Sequence, residues 1–189
     1  MAGDDAGRIV GLPDYGSGLP RMPARGVRAT LAATKEERMA TRTAVERFRF
    51  HHEQLLEHVD HLRAAARELP ELAPEERALL LERILDFLNH ELGPHAAAEE
   101  RVLYPEVARR FGHREATATM TYDHLAIHER VRELGETPVE STARLQELLY
   151  GLHALIVVHF HKEEDVYLPF LERSGADLER VLAATEAEA

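Results

Sequence analysis

The sequence predicts an all-α protein, an up-down-up-down antiparallel four-helix bundle with a flexible N-terminal arm. Apolar residues recur three and four positions apart in four long stretches, which is the spacing of amphipathic helices. Short linkers that contain proline or glycine separate these stretches, so consecutive helices should lie antiparallel to one another. No stretch shows the sustained alternation of apolar and polar residues that is typical of a half-buried strand.

We divide the chain of 189 residues into three parts by composition and periodicity. Residues 1–42 form the arm, which is rich in Gly, Pro and Arg, and a short helix is expected to begin there at Thr34. Residues 43–173 form the helical bundle, and residues 174–189 form a C-terminal tail or a short helix. Because 44% of the residues are hydrophobic, the chain can bury one full-sized core.

Composition limits the partners and the chemistry. The net charge of −11 argues against nucleic acid as a partner. The chain shows neither an apolar run long enough to cross a bilayer nor a cleavable leader, so we expect a cytoplasmic protein without a membrane partner. Its oligomeric state is left open. The lack of cysteine excludes disulfides and thiolate ligands, which leaves histidine and carboxylate side chains to bind a metal.

Prolines define the first two helices. The first covers about 43–69 and stops at Pro70. The second opens at Pro74, because proline suits the first turn of a helix. Pro94 lacks an N–H group, so we expect a kink there, and Pro105 should bend or end the helix.

A short turn separates the other two helices. The third covers about 116–134, with Gly135 as its C-cap. Thr137 is expected to be the N-cap of the fourth helix. This helix then runs to about Glu172 and ends before Gly175.

One motif occurs twice, in the second and the fourth helix. Residues 95–105 (HAAAEERVLYP) align without a gap with residues 159–169 (HFHKEEDVYLP). The alignment pairs His95 with His159, Glu99 with Glu163, Glu100 with Glu164, and Pro105 with Pro169. A histidine and a glutamate one turn apart on an apolar face are costly to bury, and a shared metal ion would satisfy both. Two such copies therefore indicate a metal site.

Each of the four helices has a histidine on its apolar face. Together with the two glutamates of the repeat they give six predicted metal ligands: His52, His95, Glu99, His124, His159 and Glu163. Four imidazoles and two carboxylates match a pair of metal ions bridged by the carboxylates. Nitrogen and oxygen donors with open positions suit iron, with manganese or zinc as alternatives. A ferritin-like site is disfavoured, because the chain has no Glu-x-x-His motif.

The first helix offers a second candidate, His58. Ligands on antiparallel neighbours must lie at equal depth in the bundle. His52 lies eighteen residues before Pro70 (70 − 52) and His95 lies twenty-one after Pro74 (95 − 74), whereas His58 lies only twelve before Pro70 (70 − 58). We therefore favour His52 and keep His58 as the alternative.

Taken together, these motifs resemble a known family. His52, His95-AAA-Glu99, His124 and His159-FHK-Glu163, with the trailing LYP and YLP, look like the hemerythrin-like (HHE cation-binding) domain over about residues 44–172. The resemblance implies a four-helix bundle that holds two iron ions in a non-haem di-iron centre. Such centres bind or turn over dioxygen, peroxide or nitric oxide, or act as oxygen or iron sensors, stores or carriers. Whether this chain is an enzyme, such as a di-iron peroxidase or a nitric oxide-handling protein, is left open.

The family has two branches that differ in their ligands. Oxygen-carrying members have His-x-x-x-His on the third helix and a carboxylate five residues after the histidine of the fourth. Here His128 and Glu164 could fill those two positions. The other branch uses a single histidine on the third helix and His-x-x-x-Glu on both the second and the fourth. The internal repeat favours this branch and Glu163, so His128 and Glu164 are the less certain ligands.

Side chains near the motifs are interpreted as structural. Glu100 and Glu164 can lie simply on the outer face of their helices. Four tyrosines are expected at the edge of the core: Tyr104, Tyr122, Tyr150 and Tyr167. A tyrosine hydroxyl close to a di-iron centre would nevertheless matter for its redox chemistry.

Overall fold

A computed structural model describes residues 43–188 of the chain; the predicted arm, residues 1–42 with its helix at Thr34, lies outside this range. The described residues are helical and contain no β-strand, as predicted. The helices are, in chain order, α1 (Ala44–Glu68), α2 (Pro74–Phe87), α3 (Gly93–Ala98), α4 (Tyr104–Phe111), α5 (Ala118–Glu136), α6 (Thr142–Lys162), α7 (Leu168–Arg173) and α8 (Leu178–Glu188). None of them is long and apolar enough to span a bilayer.

Three π-helical turns connect some of these helices end to end. They cover Leu88–Leu92 and Glu99–Leu103, which join α2, α3 and α4, and Glu163–Tyr167, which joins α6 and α7. After each turn, a backbone N–H group bonds to the carbonyl five residues earlier: Gly93 to Leu88, Tyr104 to Glu99, and Leu168 to Glu163. The joined segments thus make two long helices, spanning residues 74–111 and 142–173, which together with α1 and α5 are the four long helices of the bundle.

Prolines account for these wide turns. Pro94, Pro105 and Pro169 each directly follow the residue that makes the bond to the carbonyl five residues back. Proline has no N–H group, and its ring collides with the carbonyl one turn before it in a regular α-helix. The extra residue in a π turn accommodates the ring without breaking the helix. The second helix therefore continues through Pro105 to Phe111, where the sequence left open whether it ends.

Capping side chains set the start of the first helix. The Thr43 side chain accepts a bond from the N–H of Glu46, and the Glu46 carboxylate accepts one from the N–H of Thr43 at 2.8 Å. This capping box satisfies N–H groups that a helix N-terminus otherwise leaves free. As predicted, Pro74 occupies the first turn of α2.

Two predicted boundaries between α5 and α6 are wrong. Gly135 lies inside α5 rather than at its C-cap, because the helix continues to Glu136 and is capped by Thr137. The fourth helix does not start at Thr137: Ser141 precedes α6, and its N–H bonds back to the Pro138 carbonyl in an intervening turn at 2.9 Å. Glycines with left-handed backbone do follow α4 and α7, where Gly112 has φ 77° and Gly175 has φ 68°.

The buried apolar residues form two clusters along the bundle. The first includes Leu55, Leu92, Ile127 and Ile156, and the second includes Phe48, Leu103, Met120 and Leu168. On each long helix one predicted histidine ligand lies between a member of one cluster and a member of the other. Along the chain, α1 and α5 pass from the second cluster to the first, whereas the helices of residues 74–111 and 142–173 pass from the first cluster to the second. All four histidines are thereby brought to one level of the bundle.

Helix α8 covers one side of the bundle. It contacts α1, α3 and the turn Glu99–Leu103, and it buries Val181 and Leu182. Glu179 accepts bonds from the N–H of Ala44 at 2.9 Å and from the Arg47 guanidinium at 2.8 Å. Of the two alternatives for the C-terminal residues, the structure therefore has the short helix.

Candidate metal centre

The structure brings all six predicted ligands together between the two apolar clusters. They are His52 on α1, His95 on α3, Glu99, His124 on α5, His159 on α6, and Glu163. Five of the six are at most 2% exposed, and His124 is 9% exposed. Glu99 and Glu163 are each the first residue of a π turn, one helical turn after a histidine of the repeat.

Glu99 divides its two oxygens between two pairs of histidines. Its Oε1 is 3.0 Å from Nε2 of His95 and 3.6 Å from Nε2 of His52. Its Oε2 is 3.5 Å from Nε2 of His124. We call His52 and His95 the first half-site, and His124 and His159 the second half-site.

Glu163 is shared in the same way. Its Oε2 is 3.7 Å from Nε2 of His52, and its Oε1 is 3.5 Å from Nε2 of His159. Within the second half-site, the Nε2 atoms of His124 and His159 lie 2.9 Å apart. Each carboxylate therefore presents one oxygen to each half-site, which is the placement that a bridging carboxylate requires.

The cluster holds buried polar atoms that lack partners. Among the described residues, the buried side-chain atoms without a hydrogen bond are His52 Nε2, His95 Nε2, Glu99 Oε1, Glu99 Oε2 and Glu163 Oε2. Burying such atoms unpaired is costly, and folded proteins rarely do so. Four of the five, all except Glu99 Oε2, lie at the first half-site, and Glu99 Oε2 faces the second. A cation in each half-site would satisfy them, so the residues fit a pair of metal ions.

The donor atoms are also close enough to share an ion. In two groups, one donor atom from each residue lies within 4.8 Å of the others: His52, His95 and Glu99, and Glu99, His124 and His159. Glu99 belongs to both groups. Imidazole and carboxylate donors without sulfur suit iron, manganese or zinc.

The electrostatics of the cluster favour positive charge. Burial opposes ionisation of Glu99, but the charge of His95 and contacts with His124, His52 and His95 hold its pKa well below the usual range. Burial also works against a charged His52, yet its hydrogen bond with Glu164 and the nearby carboxylates of Glu99 and Glu163 raise its pKa to about 9. A bound cation would replace these protons, since metal and proton compete for the same imidazole nitrogen.

A second layer of carboxylates orients three of the imidazoles. Nδ1–H of His52 bonds to Glu164 at 3.1 Å, Nδ1–H of His124 to Glu100 at 2.9 Å, and Nδ1–H of His159 to Asp123 at 3.2 Å. Asp123 is held in turn by the ammonium group of Lys162. A proton on Nδ1 leaves the lone pair of a neutral imidazole on Nε2, which faces the cluster.

The sequence did not predict this orienting role. The sequence pattern predicts an outer-face position for Glu100 and either that position or a less certain metal-ligand role for Glu164, and it assigns no role to Asp123. The sequence did hold a signal for this role, because the repeat pairs Glu100 with Glu164. In the structure each of these two glutamates contacts a histidine on a neighbouring helix. Glu164 is thus placed against the Nδ1 side of His52 rather than among the Nε2 atoms of the cluster.

The two other less certain ligands lie outside the cluster. His58 is exposed, its Nδ1–H bonds to the carbonyl of Gln54 at 3.1 Å, and its ring stacks on Phe87. His128 is also exposed and lies one turn beyond His124 at a cavity wall. That the six clustered residues are the ligands, and that His58 and His128 are not, stays a prediction until a metal-bound form is measured.

Tyr104 lies beside the histidines of the second half-site, whereas the sequence pattern predicts a position at the edge of the core for all four tyrosines and does not single this one out. Its hydroxyl group donates a hydrogen bond to Glu163 Oε1 at 2.6 Å. The same oxygen is 3.3 Å from Nε2 of His124 and 3.3 Å from Nε2 of His159. Burial and the charges of Glu163 and Glu99 raise the pKa of Tyr104 in the absence of a cation.

A cavity of about 480 Å³ leads to the cluster between the second and third long helices. It reaches Glu99, His124 and His159, and of the first half-site it reaches His95 but not His52. Its walls are largely apolar and include Leu88, Leu92, Ile127 and Ile156. A small uncharged molecule can therefore approach the second half-site through an apolar passage.

Comparison with known proteins agrees with the geometry. The family model of the hemerythrin HHE cation binding domain matches residues 43–171. This range covers most of the chain and all six clustered residues, and the chain belongs to this family of cation-binding domains. The resemblance stated from the motifs is confirmed. No match was found among the curated proteins or among the solved structures.

Proposed function

We propose that this chain is a hemerythrin-like non-haem di-iron protein that binds or turns over a small oxidant, namely dioxygen, peroxide or nitric oxide. The observation that carries the proposal is the sharing of both carboxylates between the two half-sites, together with five buried donor atoms that have no other partner. Up-down-up-down order of the four long helices is part of this proposal. It is supported by the alternating order in which they meet the two apolar clusters.

Each residue has a role in holding the ions. The imidazoles of His52, His95, His124 and His159 would each hold one of the two ions, and the carboxylates of Glu99 and Glu163, which present one oxygen to each half-site, would be shared between them. Iron is the preferred metal, and manganese or zinc are the alternatives. Bound iron supplies the redox chemistry and an open position for the oxidant.

The protein around the ions excludes water and fixes the imidazoles. The His52 ring stacks on the Phe160 ring with centroids 4.3 Å apart. The Phe48 ring also packs against His52, tilted, with centroids 4.5 Å apart. Glu164, Glu100 and Asp123 fix the rings of three histidines through Nδ1–H. The cavity is wide enough for a small oxidant, and its ionisable side chains include the clustered His95, Glu99, His124 and His159, so such a molecule would meet the cluster itself.

Metal content tests the proposal most simply. After iron-replete expression, or reconstitution with ferrous iron, we expect two iron ions per chain by elemental analysis. At most one ion per chain after reconstitution would contradict the di-metal centre. Preferential retention of zinc or manganese over iron under competition would correct the choice of metal and leave the site intact.

Reaction assays then separate the possible activities. The reduced di-iron protein is mixed with dioxygen, hydrogen peroxide or nitric oxide, and consumption is followed over many turnovers. We expect reaction with at least one of the three. Reversible dioxygen binding without consumption would identify a carrier. A protein that reacts with none of them but changes its thermal stability with iron would be a sensor or a store instead.

A further inference from the structure

The Tyr104 hydroxyl oxygen sits among the donor atoms of the second half-site. The side chain is 3% exposed, so the hydroxyl group is not directed to solvent. Three donor atoms surround this oxygen, namely Glu163 Oε1 at 2.6 Å and the Nε2 atoms of His124 and His159, both at 3.3 Å. The same two Nε2 atoms are 2.9 Å from each other.

These separations are those of ligand atoms around one ion. Nitrogen and oxygen ligands lie about 2.0–2.2 Å from a zinc-sized metal, so adjacent ligand atoms at right angles are about 3 Å apart. Tyr104 therefore occupies the place of a ligand atom, next to two imidazoles and a carboxylate. A hydroxyl group that served only to pack the core would have no reason to meet three metal-directed atoms at once.

The π turn after Glu99 explains why Tyr104 reaches this position. A residue five positions along a regular α-helix lies about 140° around the axis, away from the face of Glu99. A π turn fits more residues into each revolution, so the residue after it rotates back toward that face. The turn Glu99–Leu103 ends immediately before Tyr104, whose N–H bonds to the Glu99 carbonyl.

The second copy of the repeat lacks this hydroxyl. The alignment pairs Tyr104 with Leu168, which is fully buried after the turn Glu163–Tyr167. Both copies of the repeat thus contain the π turn, but only the first places a hydroxyl group directly after it. The tyrosine of the second copy, Tyr167, bonds instead to the carbonyl of Ala116 at 3.1 Å.

We propose that Tyr104 is a metal ligand, binding through its phenol oxygen the ion held by His124 and His159. This inference rests on the proposed di-metal centre. As the oxygen–metal bond forms, the O–H bond breaks and its proton passes to solvent; the tyrosine is neither oxidised nor reduced. The ion of the second half-site then has one protein ligand more than the ion of the first.

The test uses the full chain, loaded anaerobically with ferrous iron and then oxidised by air. Iron content and the visible spectrum are measured together, and resonance Raman spectra are excited in the visible band. A phenolate bound to ferric iron gives a charge-transfer band in which tyrosine ring vibrations are enhanced. We expect these vibrations in the wild type and their loss in Tyr104→Phe, with at least about tenfold weaker binding of the second iron.

Tyr167→Phe is the matched control, because it removes the hydroxyl of the other tyrosine in the repeat motif; it should keep the band and both ions. Two irons in the wild type without tyrosine vibrations, or an unchanged band in Tyr104→Phe, would overturn the inference and leave the di-iron proposal standing. Fewer than two irons in the wild type would overturn both. If Tyr104→Phe does not fold, the wild-type vibrations decide alone.

Discussion

The two half-sites each take one histidine from the repeat but differ in their surroundings. The first, His52 and His95, is packed against aromatic rings, with Phe160 stacked on His52 and the edge of His51 against His95. The second, His124 and His159, meets the Tyr104 hydroxyl and the apolar cavity. The duplicated motif thus contributes to two half-sites with similar side chains but different surroundings: the cavity reaches both histidines of the second but only His95 of the first. On the proposed function, the oxidant would react at the second.

Each copy of the repeat serves both half-sites. The copy on the second helix gives His95 to the first half-site and the orienting Glu100 to His124 of the second. The copy on the fourth helix gives His159 to the second half-site and the orienting Glu164 to His52 of the first. Each of these two helices therefore holds side chains of both half-sites, in addition to the carboxylate that the half-sites share.

The largest effect is expected from a change that removes a residue common to both half-sites. Glu99→Gln removes the negatively charged oxygen that Glu99 presents to each half-site. We therefore expect the iron content to fall from two ions to fewer than one per chain. Helix content, measured by circular dichroism, should not change. Glu106→Gln is the matched control, since Glu106 is a buried carboxylate of the same long helix that bonds to Arg109 and Arg110 instead. Retention of two ions by Glu99→Gln would show that Glu99 does not bridge.

A pair of alanine variants should separate the half-sites. His52→Ala should lose the first ion and keep one iron, with the tyrosine-derived band intact. His124→Ala should keep one iron in the first half-site but lose that band and the rapid reaction with peroxide or nitric oxide. Iron content, visible spectra and single-turnover kinetics measure all three. Equal loss of reactivity in both variants would mean that the two positions do not differ as described.

Substituting the orienting carboxylates should have smaller and separable effects. Glu164→Gln should weaken binding of the first ion and Glu100→Gln that of the second, each by about 10- to 100-fold in affinity, because a neutral amide oxygen replaces the carboxylate that fixes the imidazole ring and makes it more basic. Competition with a chelator of known affinity measures both. If either variant weakened the binding of both ions equally, these carboxylates would act on the fold as a whole.

The smallest effects are expected outside the cluster. His128→Ala and His58→Ala should each retain two ions and a nearly unchanged visible spectrum, since neither imidazole belongs to the groups of donor atoms that could share an ion. Loss of an iron or of the charge-transfer band in His128→Ala would instead indicate the ligand set of the oxygen carriers. Loss in His58→Ala would indicate that the first helix supplies a different histidine.

The sequence predicted the position of the cluster well, for a physical reason. Helical periodicity and equal depth in an antiparallel bundle favour His52 over His58, and the structure places His52 beside Glu99. Histidines on all four apolar faces fall between the two apolar clusters. These features follow from α-helical geometry, which spacing along the chain reports directly.

What the sequence missed depends on departures from that geometry. Tyr104 and Glu100 each lie five residues beyond a cluster residue, and an α-helical projection turns such residues away. Pro105 makes the intervening turn π-helical, and the change of register brings Tyr104 back to the cluster. The boundary at Gly135 was missed because packing between helices does not appear in the local sequence: α5 continues through Gly135 beside the second long helix, where a Cβ atom at this position would lie 3.7 Å from the Leu85 side chain.

The most direct test of two unequal metal positions is anomalous X-ray diffraction at the iron edge from crystals of the iron-loaded chain. The account predicts two peaks in each chain: one between His52 and His95, and one between His124 and His159 with the Tyr104 oxygen in its coordination sphere. Glu99 and Glu163 should each contact both. A single peak, or two peaks with equivalent surroundings and Tyr104 turned away, would contradict it.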